Sequence, residues 1–290
     1  MQRALFSAQT LPSGIYNPCR DGERVSNERF IRAAGGTRRR RFPGWLPAGR
    51  CHRALLSRRR VCRLPAAAPS LVISTVSRRS RIGILGSGSA AQTLGTAFIK
   101  HGHPVMLGSR NPAKLQPWRA GAGPDARIGR FDEAARFGDL VILSILGSAA
   151  EDVVRLAGIE SFNGKVVLDA SDPLDFSSGR PGLFVGTTDS LGERIQRLLP
   201  QAHVVKGLNT VVAEVMVDPT LSGGDPDMFI AGDDDRAKQT VTALLGDFGW
   251  PVIDMGGIES ARWLEALSLA WVVYSHRTGK THHAFKLVGK

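Results

Sequence analysis

The sequence predicts an α/β fold, doubly wound around a mostly parallel sheet, and three observations predict it. A short apolar strand at 82–85 runs straight into the glycine-rich turn G-S-G-S-A-A at 86–91 and then into a helix. The runs L-V-I-L-S-I at 140–145 and K-V-V-L-D-A at 165–170 are apolar nearly throughout, as strands buried on both faces are. Strand-like and helix-like segments alternate from 81 to 254, the order that builds parallel sheets.

The elements follow in order. After the turn, Ala91, Leu94, Gly95, Phe98 and Ile99 recur at helical spacing, and Gly102 ends that helix. A second strand falls at 105–107, then a polar loop with a helical turn at 111–123, a short strand at 126–129 and a helix at 131–137. Strand 140–145, helix 149–156 and strand 165–170 come next, ahead of Ser171-Asp172-Pro173 and a Gly/Ser-rich loop at 176–188. Ser190 and Glu193 form an S-x-x-E capping box for a helix that buries Leu191, Ile195, Leu198 and Leu199 and stops at Pro200. Strand 203–205 leads into K-G-L-N-T at 206–210. Strands at 227–231 and 251–253 flank a helix at 235–245, and the longest helix, at 259–274, carries the stripe Leu264, Leu267, Trp271 and Tyr274.

The charge is unevenly placed. The chain of 290 residues has a net charge of +12, which spread over a fold would suggest nucleic acid or an anionic membrane. Residues 1–80 hold 17 arginines against three acids, a net of +14, so the remainder carries −2. The folded part therefore offers no reason to expect a nucleic-acid or membrane partner. The leader at 1–80 reads as a disordered basic segment: an organellar transit peptide, a nucleic-acid-binding arm, or a translated extension ahead of the native start. All three cysteines lie in it, at no metal or redox spacing. A cytoplasmic location is expected, or an organellar one if the leader is a true transit peptide.

The turn at 86–91 is G-x-G-x-x-A, a dinucleotide fingerprint, and its context of strand, turn, helix and second strand fits a βαβ unit. Gly86 suits the tight turn, Gly88 leaves a pyrophosphate room to approach, and Ala91 keeps helix and strand close. An NAD enzyme places an acid at the end of the second strand. Here that place reads Gly108-Ser109-Arg110-Asn111, with Lys114 one turn on. Arg110 can pair with a 2′-phosphate and Ser109 can donate to it, so NADP(H) is the expected cofactor.

Over 81–290 the chain resembles the NADPH-dependent reductases of the deazaflavin coenzyme F420. The resemblance rests on the glycine turn, G-S-R at 108–110, G-K-V-V-L-D-A-S-D-P-L at 164–174 and V-V-K-G-L-N-T at 204–210. I-A-G-D-D at 230–234, L-E-A-L at 264–267 and A-F-K-L at 284–287 continue it in order. It implies an NAD(P)-binding Rossmann domain at 81–254 and a small helical C-terminal portion at 255–290 closing the site. It also implies that Ser87, Gly88, Ser89 and Ala90 cradle the phosphates, with Ser109, Arg110 and Lys114 at the 2′-phosphate. Ile145 and Leu146 would line the adenosine and nicotinamide side, and Gly207 would lie where backbone approaches the nicotinamide. The implied chemistry is hydride transfer between NADP(H) and coenzyme F420 as co-substrate, or another small redox acceptor, with a second copy of the chain as a further partner. Two departures fall near the expected acceptor: Asp172-Pro173 where the family often has Asn-Pro, and K-G-L-N-T where it has K-A-F-N-T.

No nucleophile elbow, zinc helix or triad is present, and His282-His283 lacks a third ligand, so no metal is expected. Asp172, Lys206 and Asn209 are the only candidates for proton chemistry. Asp172 reads as a loop cap or a proton donor. Lys206 and Asn209 read as a polar pair of the kind hydroxyacid dehydrogenases use, or as strand-end residues that hydrogen-bond a loop. An imine or keto reductase and a non-catalytic NADP(H) sensor are the alternative functions.

Overall fold

The structure is a computed structural model, and it describes residues 79–289. The expected leader lies outside the described residues except for Arg79 and Ser80. The strands of the main sheet are β1 (Ile82–Leu85), β2 (Val105–Gly108), β3 (Ala126–Gly129), β4 (Leu140–Leu143), β5 (Val166–Asp169) and, after a hairpin, β8 (His203–Lys206). They align in the order β3-β2-β1-β4-β5-β8, every pair parallel. Counting only these six strands, the order is 3-2-1-4-5-6 of a dinucleotide-binding Rossmann fold, with its switch point between β1 and β4.

Alternation within the strands explains why both faces are covered. Ile82, Ile84, Ile142 and Leu168 point into one apolar cluster. Leu85, Val141, Leu143 and Val167 point into the other. Helices α1 (Ser89–Lys100) and α7 (Asp235–Gly246) pack on the first face through Leu94, Phe98, Val241 and Leu245. Helices α3 (Phe131–Phe137), α4 (Ala150–Ala157) and α5 (Leu191–Leu198) pack on the second through Ala134, Val154 and Ile195. Burying such side chains contributes about 1.5–3 kcal/mol each.

The sequence-derived elements differ from the structure in four places. The 111–123 loop holds a true helix, α2 (Gln116–Ala122), whose Trp118 donates to Gln92 O and Thr96 Oγ1 on α1. The Gly/Ser loop folds into a small hairpin, β6 (Leu174–Asp175) with β7 (Gly182–Leu183). A short helix, α6 (Ala213–Val217), had no clear period to announce it in five residues. Strands β9 (Met228–Ile230) and β10 (Val252–Asp254) pair with each other in parallel, outside the main sheet. Ala231 then joins the edge strand through an antiparallel bridge to Lys206.

The last helix, α8 (Ala261–Thr278), is capped at its end by Gly279 at φ +69° and packs against α5 within one compact unit. Its buried face is Ala261, Leu264, Glu265 and Ser268, so of the expected apolar stripe only Leu264 is fully buried. Tyr274 is 46% exposed and Trp271 only partly covered. The face is polar because it meets polar groups at the sheet's carboxyl edge. The capping box of α5 is likewise half used. Ser190 Oγ accepts from Glu193 N at 3.1 Å, while the Glu193 carboxylate turns to Arg262 of α8 at 2.5 and 2.8 Å. The backbone N–H groups of Leu191 and Gly192 donate instead to Glu265 (3.0 and 2.9 Å). Ser190→Ala is expected to lower the unfolding free energy by about 1 kcal/mol, read by chemical denaturation.

Candidate functional site

The site lies at the carboxyl ends of β1, β2, β4 and β5. β1 is buried at every position and delivers the chain to Gly86 at φ +153°. A Cβ there would stand 2.1 Å from the Ser144 carbonyl oxygen and 3.2 Å from Ala91 Cβ. Gly86 is thus required by the close passage of β1's turn against the end of β4. Gly86→Ala is expected to distort the turn and cost several kcal/mol, with loss of NADPH binding in a fluorescence titration. Gly88 differs: an added Cβ meets nothing within 4 Å, because it faces the open cleft.

Helix α1 starts immediately after Gly88 with no side chain capping it and no acid in its first turn. Its first N–H groups and the positive end of its dipole therefore face the cleft, where an anion is favoured. The cleft has a volume of about 630 Å³ and is lined by Gly86–Ala90, Ser109, Arg110, Lys114, Ile145 and Leu146. Ser109 is buried and its Oγ accepts from Asn111 N at 3.2 Å, which fixes the start of the next loop. Arg110 and Lys114 are exposed, and neither is in an ion pair among the described residues. Two unneutralised cations beside an uncapped helix terminus suit a phosphate-bearing ligand. The opposite wall is apolar, from Ile145, Leu146, Val153 and Leu156, and Leu146 is 76% exposed.

Several walls of this cleft escaped the sequence reading. Phe131, Asp152, Val153, Leu156, Ala170 and Met216 line it as well. They come from helices α3, α4 and α6 and from the residue that follows β5, and only the topology brings them together.

The remaining candidates do not line that cleft. Ala91 is fully buried between turn and strand. Gly207 is buried, and a Cβ on it would lie 3.1 Å from Ile230 Cγ2. Asp172, Lys206 and Asn209 form a polar cluster just beyond Ala170. Lys206 Nζ, fully buried, lies 2.9 Å from Asp169 Oδ2, 2.9 Å from Glu265 Oε1 and 2.5 Å from Ser171 O. Burial opposes its charge, but Asp169, Glu265 and Asp172 outweigh that and hold its pKa above the ordinary lysine value. A lysine so held favours its charged form. Asp169, not Asp172, caps the turn after β5, accepting from Ser171 N at 3.0 Å.

Asp172 instead accepts from Asn209 Nδ2 at 3.1 Å and from Ser268. Burial of its carboxyl outweighs the pull of Lys206 and these hydrogen bonds and pushes its pKa up to about 7. Asn209 is placed by Leu208, which at φ +60° is the one non-glycine residue with positive φ among the described residues. That conformation costs roughly 1–2 kcal/mol. It is held by complete burial of the Leu208 side chain and a contact from its N–H to Met228 Sδ at 3.3 Å.

Fold and cleft together define a dinucleotide-binding oxidoreductase domain that prefers a 2′-phosphorylated cofactor. The comparisons agree. Residues 81–173 match the family of NADP oxidoreductases, coenzyme F420-dependent. A protein assigned as an F420-dependent NADP-reductase from Arthrobacter sp. FB24 is 37% identical with a TM-score of 0.69, over 72% of this chain and all of that one. The F420-dependent NADP reductase of Methanothermobacter marburgensis is 29% identical, over 65% of this chain and 89% of its own length. The metalloreductase STEAP3 of Rattus norvegicus is 30% identical over 65% of this chain, which spans only 36% of that protein. The chain belongs to the coenzyme F420-dependent NADP oxidoreductase family. Imine reductases and a reductive aminase, at 14–18% identity and TM-scores of 0.51–0.53, share the fold alone.

No helix among the described residues is long and apolar enough to cross a membrane.

Proposed function

We infer that the protein is an NADP(H)-dependent oxidoreductase that exchanges a hydride between NADP(H) and a deazaflavin of the coenzyme F420 type. The observation that carries the cofactor half is the uncapped start of α1 beside unpaired Arg110 and Lys114. Ser87, Gly88, Ser89 and Ala90 bind the pyrophosphate, and Ser109, Arg110 and Lys114 bind the 2′-phosphate. Ile145 and Leu146 provide an apolar wall that excludes water along the dinucleotide. When bound, the nicotinamide supplies or takes the hydride. That chemistry asks the chain for close placement of two rings rather than for a nucleophile. Two relatives named as F420-dependent NADP reductases support a deazaflavin as acceptor.

A carbonyl or imine acceptor is the second reading, favoured by one observation: the enclosed carboxyl of Asp172 could deliver the proton such a reduction needs. The test is an acceptor screen with NADPH at saturating concentration, following loss of nicotinamide absorbance. Turnover of oxidised coenzyme F420 is the expected result. Turnover of cyclic imines or ketones alone would favour the second reading. Tight NADPH binding with no turnover of any acceptor would mark a binding module instead.

A further inference from the structure

The cluster beyond Ala170 has a composition that cofactor binding does not explain. Asp172 follows β5 by three residues and packs against the loop after β4. A Cβ on Gly147 of that loop would stand 2.0 Å from Asp172 O. Both loops leave the carboxyl edge of the sheet, and their neighbours Leu146 and Ala170 line the cleft. The Asp172 residue is half-buried, and its carboxyl is enclosed.

The charged and polar groups around that carboxyl come from β8, the loop after it and α8. Lys206 ends β8, Glu265 and Ser268 lie on the buried face of α8, and Asn209 follows β8. The lysine is already matched by Asp169 and Glu265, each at 2.9 Å. A third carboxylate would therefore be in excess, and burial keeps Asp172 neutral, with an O–H to give, up to about pH 7. One further atom is unexplained. Asn209 Nδ2 donates to both Asp172 and Leu264 O, which leaves Asn209 Oδ1 buried and without a hydrogen-bond partner. Buried carbonyl oxygens of this kind are uncommon, and a catalytic role is one explanation for them.

We propose that Asp172, held by Asn209 and Ser268 just beyond the cleft wall at Ala170, is the group that exchanges a proton with the acceptor. The acceptor class is then a conjugated ring or imine that takes a hydride at carbon and a proton at nitrogen. A deazaflavin and a cyclic imine share that chemistry. As the hydride pair leaves NADPH and forms a C–H bond on the acceptor, the acceptor's π pair moves onto its nitrogen. The Asp172 O–H bond breaks, an N–H bond forms, and the new N–H has Asn209 Oδ1 as a partner. The nicotinamide is oxidised and the acceptor reduced, and Asp172 recovers its proton from water. In the reverse direction the Asp172 carboxylate takes the proton. The assignment rests on the oxidoreductase reading above.

Single-turnover rates of the full chain with NADPH are measured against pH with oxidised coenzyme F420 in one arm and a cyclic imine in the other. The rate with NADPH is expected to fall as pH rises through about 7, and the reverse rate, from reduced F420 and NADP, to rise through the same range. Asp172→Asn is expected to flatten both profiles and slow the step about 100-fold, with NADPH affinity unchanged. Asp172→Glu is expected to restore the pH dependence in part. Infrared titration of the chain without ligands is expected to show a protonated carboxyl that ionises near pH 7 and is missing in Asp172→Asn. If the wild type turns over an acceptor and Asp172→Asn keeps the same rate and profile, the proton role is overturned and the oxidoreductase reading stands. If the carboxyl band is absent, the role is overturned whatever the activity. If the wild type turns over neither acceptor, both fall. Whichever arm turns over identifies the source of the acceptor chemistry.

Discussion

Arg110→Ala is expected to weaken NADPH binding by about one to two orders of magnitude and to leave NADH binding nearly unchanged. A charge-assisted hydrogen bond is worth about 1.5–3 kcal/mol, and each 1.4 kcal/mol is tenfold in affinity. Arg110 lines the cleft at the end of β2 with no carboxylate engaged with it, so its guanidinium is available to the ligand and nothing on the protein is left unpaired by its removal. The loss should therefore fall on the ligand that carries the extra phosphate. Because the side chain is exposed, the preference for NADPH should shrink at high ionic strength. Lys114→Ala should act in the same direction and more weakly, since an ammonium on a long stem lacks the planar fork of arginine. Fluorescence titrations with both cofactors at two salt concentrations decide it. An equal loss for NADPH and NADH would mean that Arg110 shapes the loop rather than reading the 2′-phosphate.

That cofactor preference was legible in the sequence because it depends on local order. The strand, the turn at 86–91, helix α1 and Arg110 fall within one βαβ unit, so spacing along the chain translates directly into position. The same is true of the sheet: apolar runs such as 140–143 had no polar side to expose, and they became central strands. What stayed hidden depends on residues far apart in sequence. Glu265 lies 74 residues beyond Leu191, whose N–H it accepts, and nothing near either of them announces the other. In a helix read by period alone, a glutamate beside Leu264 belongs on the solvent side. It is buried because Lys206 and the start of α5 supply a cation and two N–H donors at that place. The exposure of Tyr274 follows, since burying Glu265 and Ser268 beside Leu264 leaves the far end of the apolar stripe of α8 outside. For the same reason Asp172 could not be separated from Asp169 as a turn cap on sequence grounds. Both stand near a serine at the end of β5, and both carboxyls are buried in the structure, Asp169 against Lys206 and Ser171 and Asp172 against Asn209.

Lys206→Met is expected to destabilise the protein by about 3–5 kcal/mol, the usual effect of removing one partner from a buried ion pair. Methionine is close in volume, so the loss is electrostatic rather than a cavity. Asp169 and Glu265, respectively 0% and 1% exposed, would be left facing each other without a cation. The wild-type contribution has a defined pH window. Because the folded-state pKa of Lys206 is raised, the stability it confers is complete below the unfolded lysine value and is lost only as pH rises through the higher folded one. From pH 6 to 9 that contribution should be constant. The variant should behave differently on the acid side. Its unpaired carboxylates can relieve their repulsion by taking up a proton, so the gap between variant and wild type should narrow as pH falls. Denaturant melts at pH 5, 7 and 9 read both effects. A gap below about 1 kcal/mol at pH 7 would be the size of an exposed pair and would remove the cluster as the anchor of α8. A gap that does not change with pH would place the loss in packing. The expected pattern, large at neutral pH and smaller in acid, would tie the last helix to the sheet through the same lysine whose charge bears on Asp172.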